Sequence, residues 1–142
     1  MIINTILLLS LIGNTQTGLA SRYRDPGDRY ENFSQPMACE KKLRKILGLK
    51  AWRYVLELGV AHRTLPCGKR IVICRPHPTS PPTCTNAFVI DRGPYGALDR
   101  HGRWHRRDRL LPGERWRGVV DLLPPVANRL RIWGLGKVVI WY

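Results

Sequence analysis

The sequence predicts a mainly β fold closed into a small barrel, and three observations predict it. Apolar runs of strand length recur along the 142 residues, separated by stretches rich in Pro, Gly, Ser and Thr. Helical spacing is confined to two short segments, so helices are accessories to a β framework. A hydrophobic content of 44% with five Trp gives one domain a modest core of its own, which excludes a disordered basic tail. There is no internal repeat.

Taken in order, the chain opens on an apolar run, residues 2–12, interrupted by Asn4, Thr5 and Ser10. Eleven residues are too few to cross a bilayer as a helix but suit the core of a secretory signal, with the polar residues 13–17 holding the cleavage region. Residues 1–17 are therefore expected to be a signal peptide and residues 18–142 the barrel domain. No Lys or Arg precedes the run, the first basic residue being Arg22. An N-terminal strand or arm docking on a partner competes with the signal, and with no Cys directly after the run a lipid anchor is not expected.

A first strand is expected over residues 19–23, followed by a polar loop with Pro26 and Gly27. Residues 40–47 (EKKLRKIL) place apolar side chains at 43, 46 and 47 against Lys and Arg, a short amphipathic helix ended by Gly48. Strands follow at 69–74 and 84–90. Pro124 and Pro125 open a helix that buries Val126, Ala127 and Leu130 and is terminated by Gly134; residues 137–142 (KVVIWY) form the last strand.

Four cysteines are an even count. Cys74 ends one expected strand and Cys84 opens the next, with the Pro-rich loop 75–83 between them, so the two can meet across the base of a hairpin. Cys39 and Cys67 are the remaining pair. Two disulfides place the chain in an oxidising, extracytoplasmic setting. The rival is zinc held by Cys74, His77 and Cys84, a weak pattern because its spacing is irregular. The net charge of +14 predicts a polyanionic partner, either nucleic acid or the anionic polymers of a bacterial envelope.

Three stretches carry candidate chemistry: residues 59–69 (GVAHRTLPCGK), 89–95 (VIDRGPY) and 119–130 (VVDLLPPVANRL). Each sets one titratable residue, His62, Asp91 or Asp121, among apolar residues and turn formers. A carboxylate at the end of an apolar run and next to Gly-Pro belongs at a strand end facing a cleft. Singly, each aspartate reads more simply as a turn or a helix cap.

Together and in this order, the motifs AHRTLPCG, VIDRGPY and the Asp-Leu before a short helix resemble the rare lipoprotein A group. These are double-psi β-barrel proteins of bacterial cell walls, related in fold to expansins and barwin-like domains. The resemblance extends over residues 18–142, since GLASRY at 18–23 is similar to the family's first strand. It implies a six-stranded double-psi barrel, the Cys39–Cys67 pairing, a location in the cell envelope or outside the cell, and a lytic transglycosylase activity on peptidoglycan. Asp121 would be the acid and then the base, its carboxyl desolvated by Val119, Val120, Leu122 and Leu123, while Asp91 supports charge across the cleft and His62 hydrogen-bonds a carboxylate or substrate. Tyr95 would wall the cleft, with Arg92, Trp104 and Trp116 as further substrate contacts.

Two departures from that family stand out. Relatives of the transglycosylase type carry a Gly-Glu-x-x-Asp arrangement between the counterparts of Cys39 and His62; here that interval is longer and its only acids are Glu40 and Glu57. Between the two aspartates, residues 96–118 form an expansion with seven Arg, Trp104, Trp116, His101 and His105. Arg beside Trp suits anionic sugars, because guanidinium forks grip carboxylate or phosphate and rings stack on pyranoses; the plain alternative is a solvated basic loop. His101 and His105 make a poor metal pair, with Gly102 between them and no third ligand. Gly134-Leu135-Gly136 lacks the rest of a nucleotide-binding motif.

The sequence thus predicts a monomer acting on peptidoglycan or another anionic wall glycan, with no cofactor, no metal and no specific nucleic acid. A non-catalytic, expansin-like wall binder and a phage-encoded wall-binding structural protein are the alternatives.

Overall fold

A computed structural model describes residues 13–26 and 35–142. In chain order it contains β1 (Thr15–Arg22), α1 (Glu40–Glu57), β2 (Gly59–Ala61), β3 (Arg70–Arg75), β4 (Thr83–Asp91), β5 (Gly96–Leu98), β6 (Trp104–Arg106), β7 (Arg115–Trp116), β8 (Val120–Leu122), α2 (Pro124–Leu130) and β9 (Leu135–Trp141). Six strands close a barrel in the order β1-β8-β2-β4-β3-β9, as the mainly β expectation requires. It is a mixed barrel: β1 runs parallel to β8 and β2 to β4, and the other neighbours are antiparallel.

The barrel closes because its strands alternate inward apolar residues with outward ones. Ile71 and Ile73 of β3, Ala87 and Val89 of β4, and Val138 and Ile140 of β9 point into one fully buried cluster. Val126, Ala127 and Leu130 of α2 join it, as their helical spacing predicts. A second cluster lies outside the barrel wall, where Leu43, Trp52 and Val55 of α1 pack with Met37, Ile90 and Leu123.

Several boundaries differ from expectation for local physical reasons. β1 begins at Thr15, because Thr15, Gln16 and Thr17 pair with Trp141, Ile140 and Val139 of β9. The 17/18 boundary expected for a signal peptide therefore falls inside a barrel strand, while residues 1–12 lie outside the described residues. Gly48 kinks α1 (φ +78°) without ending it, since Trp52 and Val55 anchor the second half to the core. Two of the three apolar positions expected to be buried, Ile46 and Leu47, face solvent instead. α2 stops at Leu130, not Gly134: Arg131 takes the left-handed conformation (φ 55°) and the Ile132 N–H closes back onto the Ala127 carbonyl at 2.9 Å.

The expansion at 96–118 is ordered. β5 lies between β6 and β7 in a separate three-stranded sheet. Its turn is built by Asp99, whose Oδ1 accepts the N–H groups of His101 (2.8 Å) and Arg103 (2.9 Å) and whose Oδ2 meets His105 Nε2 at 2.8 Å. The His105 contact, then the backbone N–H groups, hold the Asp99 carboxyl well below the usual range. The Arg107 guanidinium grips Glu114 through Nε and Nη2, and Glu114 Oε1 also accepts the Leu111 N–H at 2.9 Å.

Both expected disulfides are present, Cys39–Cys67 (Cα–Cα 5.5 Å) and Cys74–Cys84 (Cα–Cα 4.1 Å). The second takes both thiols away from the rival zinc arrangement, and His77 meets the Thr83 hydroxyl at 2.8 Å. Two disulfides suit an oxidising, extracytoplasmic compartment.

Candidate functional site

Strand register brings the two aspartates to one place. Asp121 lies in β8 between Val120 and Leu122, both fully buried, so the pleat turns its own side chain out of the barrel interior. Asp91 is the last residue of β4. Ala61 of β2 pairs with Asp121 on one side and with Asp91 on the other, which sets the two aspartate backbones two strand spacings apart, roughly 10 Å. The loop after β4 returns over this spot through Gly93 and a cis Gly93–Pro94 bond. Gly93 has φ +139°, and a Cβ there would stand 3.4 Å from Asp121 Oδ2 and 3.9 Å from the Ala61 side chain. A bare backbone at 93 therefore keeps the Asp121 carboxylate uncovered.

Each carboxylate is oriented by donors. The Ser21 hydroxyl, opposite Asp121 on β1, donates to Asp121 Oδ1. Asp91 Oδ1 accepts the Ala38 N–H at 2.8 Å and the Arg92 N–H at 2.9 Å, and the Tyr23 hydroxyl stands 3.4 Å from Oδ2. Burial, then the charge of Asp91, pushes the Tyr23 phenol far above its ordinary value, and Asp121 adds to the shift. Tyr23 thus stays a proton donor within the field of both carboxylates. These groups line a cleft of about 500 Å³, together with Tyr95, Trp104, Arg106 and Arg117.

Four expected site residues take positions of different kinds. Tyr95 and Trp104 line the cleft. Arg92 borders it, but its guanidinium is turned to the carbonyls of His62 and Leu65 and to Cys67 Sγ, clipping the 62–67 loop to the end of β4. Trp116 lies behind the wall, edge-on to Tyr95 with centroids 6.2 Å apart. Over the Trp116 ring sits Arg63, 4.7 Å from its centroid, donating to the Pro94 carbonyl at 2.8 Å and the Gly118 carbonyl at 2.7 Å. Arg63 thereby ties the loop after β4 to the loop before β8.

His62 is buried, with its backbone N–H on the Asp91 carbonyl. Its Nδ1 accepts the N–H groups of Thr64 (3.2 Å) and Leu65 (3.0 Å), so the proton resides on Nε2 and is donated to Gln16 Oε1 at 2.9 Å. Burial, then Arg63 and Arg92, lowers its pKa to about 4. The imidazole is fully occupied, by its own loop through Nδ1 and by Gln16 of β1 through Nε2, and is not among the groups lining the cleft.

No protein-family model matches this chain, and comparison with the curated proteins returns no match. The site must therefore be judged on its own chemistry. Among the described residues no group of three or more His, Cys, Asp or Glu side chains is placed to hold a metal ion. Two carboxylates, a hydroxyl and a protonated phenol instead form a set suited to moving a proton at a bound ligand.

Ser21, Tyr23 and Arg63 are the functional positions that motif reading did not single out. For the first two a signal exists: Ser21, near the end of β1, and Tyr23, just past it, are two residues apart and so share a face, opposite the one that carries the buried Ala20. Arg63 gives no such signal, because its partners are carbonyls remote in sequence.

Proposed function

We propose that this protein is a double-psi β-barrel enzyme of the cell envelope that cleaves peptidoglycan strands lytically. The observation supporting the reading is the placement of Asp121 and Asp91 on either side of Ala61, at a cleft walled by Tyr95 and Trp104. The two parallel strand pairs of the barrel and the two disulfides are compatible with the fold and the location.

In this mechanism Asp121 begins protonated. It gives its proton to the glycosidic oxygen as the C1–O bond breaks and positive charge develops at C1. The resulting carboxylate takes the proton of the sugar's C6 hydroxyl, whose oxygen attacks C1 and closes the anhydro ring. No water is consumed, and the enzyme returns to its starting protonation. Ser21 orients Asp121 through its hydrogen bond, Asp91 supports the developing charge, and the Tyr23 phenol keeps Asp91 in position. Asp121→Asn and Asp91→Asn, compared with the unaltered protein on purified sacculi, test the assignment. Asp121→Asn is expected to lower release of anhydro-ended fragments by at least about a hundredfold, and Asp91→Asn by less. Undiminished release from Asp121→Asn would remove Asp121 from the mechanism.

A second reading, binding to wall glycan without cleavage, is favoured by one observation: the interval between Cys39 and His62 lacks the Gly-Glu-x-x-Asp arrangement that the transglycosylase-type members of the resembled family carry there. Sacculus binding without soluble product would select it.

A further inference from the structure

One wall of the cleft is made by β5 and β6 of the small sheet and by Arg117, which follows β7. Gly96 of β5 pairs with Arg106 of β6 on one side, and on the other its carbonyl accepts the Arg117 N–H at 3.0 Å. Arg106 and Arg117 therefore flank Gly96, and both line the cleft. Between them lies the Trp104 indole, packed onto Gly96 so closely that a Cβ there would collide with it. Trp104 is 54% exposed, so about half of its surface is open to solvent.

What separates these two arginines from their neighbours is the state of their guanidinium groups. Arg107 is spent on Glu114, Arg63 on two carbonyls, and Arg92 on the 62–67 loop. Among the described residues, neither Arg106 nor Arg117 has an ion pair or side-chain hydrogen bond, although Arg117 is half-buried. Two guanidinium groups that line a cleft whose own carboxylates, Asp91 and Asp121, accept from other donors, beside a half-exposed indole, are suited to a ligand carrying a negative charge next to a sugar ring.

We infer that Arg106, Arg117 and Trp104 form a subsite for an anionic saccharide, with Trp104 stacking on a pyranose and the two guanidinium groups holding a carboxylate or phosphate attached to it. The inference rests on the proposed action on wall glycan and specifies which part of the polymer the cleft selects. Carboxylates of peptidoglycan and phosphates of attached wall polymers offer the same chemistry.

The test is binding, kept apart from cleavage by working in the full chain carrying Asp121→Asn. The probes are sacculi stripped of phosphate polymers and sacculi that retain them. Arg106→Gln/Arg117→Gln is compared with Arg100→Gln/Arg109→Gln, which removes the same charge from exposed positions outside the cleft lining, and with Trp104→Ala; thermal unfolding confirms that each variant is folded. The cleft double variant is expected to bind about tenfold more weakly than the control double variant, and Trp104→Ala to lose a similar factor. Loss on stripped sacculi identifies carboxylates as the anion; loss only where phosphate polymers remain identifies phosphates. Equal binding by the two double variants on both probes overturns the subsite, as does a lack of binding to either probe before any arginine is changed. Cleavage by the unaltered protein is measured separately, so failure of the subsite and failure of the lytic reading give different results.

Discussion

At the scale of single residues, the site depends on which polar groups are already occupied and which remain available to a ligand. The Ser21 hydroxyl is committed to Asp121, and removing it in Ser21→Ala is expected to lower turnover by about tenfold while leaving the fold intact, as read by activity beside far-UV dichroism. Gly93→Ala places a methyl 3.4 Å from Asp121 Oδ2 in a backbone conformation that L residues rarely adopt, so both activity and stability should fall. His62 behaves oppositely to a catalytic base. Its folded pKa of about 4 lies below its ordinary 6.5, so the neutral ring is the form that folding favours. Its stabilising contribution is complete above pH 6.5 and is lost as pH falls toward 4. The melting temperature of the unaltered protein should therefore decline across that interval, and His62→Gln should lack that part of the decline; parallel profiles would contradict the assignment.

At the scale of elements, the β5–β6–β7 sheet is the part of the molecule that sequence patterns conveyed least. Its strands have two or three residues, too few for an alternation of polar and apolar positions to register. Seven arginines also masked the Asp99 turn and the Arg107–Glu114 grip that give the segment its order. Glu114→Gln weakens that grip and is expected to speed amide exchange within residues 96–116 by about an order of magnitude without altering the barrel strands; unchanged exchange there would show that the ion pair does not order the segment. The long strands and α2 were legible because their periodicity is strong, whereas β2 and β8 were legible only as the segment leading into His62 and the carrier of Asp121. The second half of α1 was not, since Gly48 resembles a terminator and only the tertiary anchors Trp52 and Val55 carry the helix past it. Of the expected site, Asp91, Asp121, Tyr95 and Trp104 meet at the cleft. His62, Arg92 and Trp116 support its walls, because type and spacing reveal a polar residue but not which carbonyls and rings it will meet.

At the scale of the whole molecule, a barrel core and two disulfides share the task of holding the cleft. Cys39–Cys67 closes a loop of 28 residues around α1, fixing the start of that helix beside the loop that Arg92 clips. Replacing both cysteines by alanine is expected to cost about 3 to 4 kcal/mol in denaturant unfolding, and a change well below 1 kcal/mol would show that the helix is held by packing alone. The central claim, that this cleft cuts glycan strands without water, is tested most directly by mass spectrometry of soluble material released from purified sacculi by the unaltered protein. The account predicts fragments ending in anhydromuramoyl residues, lighter by one water than hydrolysis products. Hydrated reducing ends, or firmly bound protein with no soluble fragment, would contradict it.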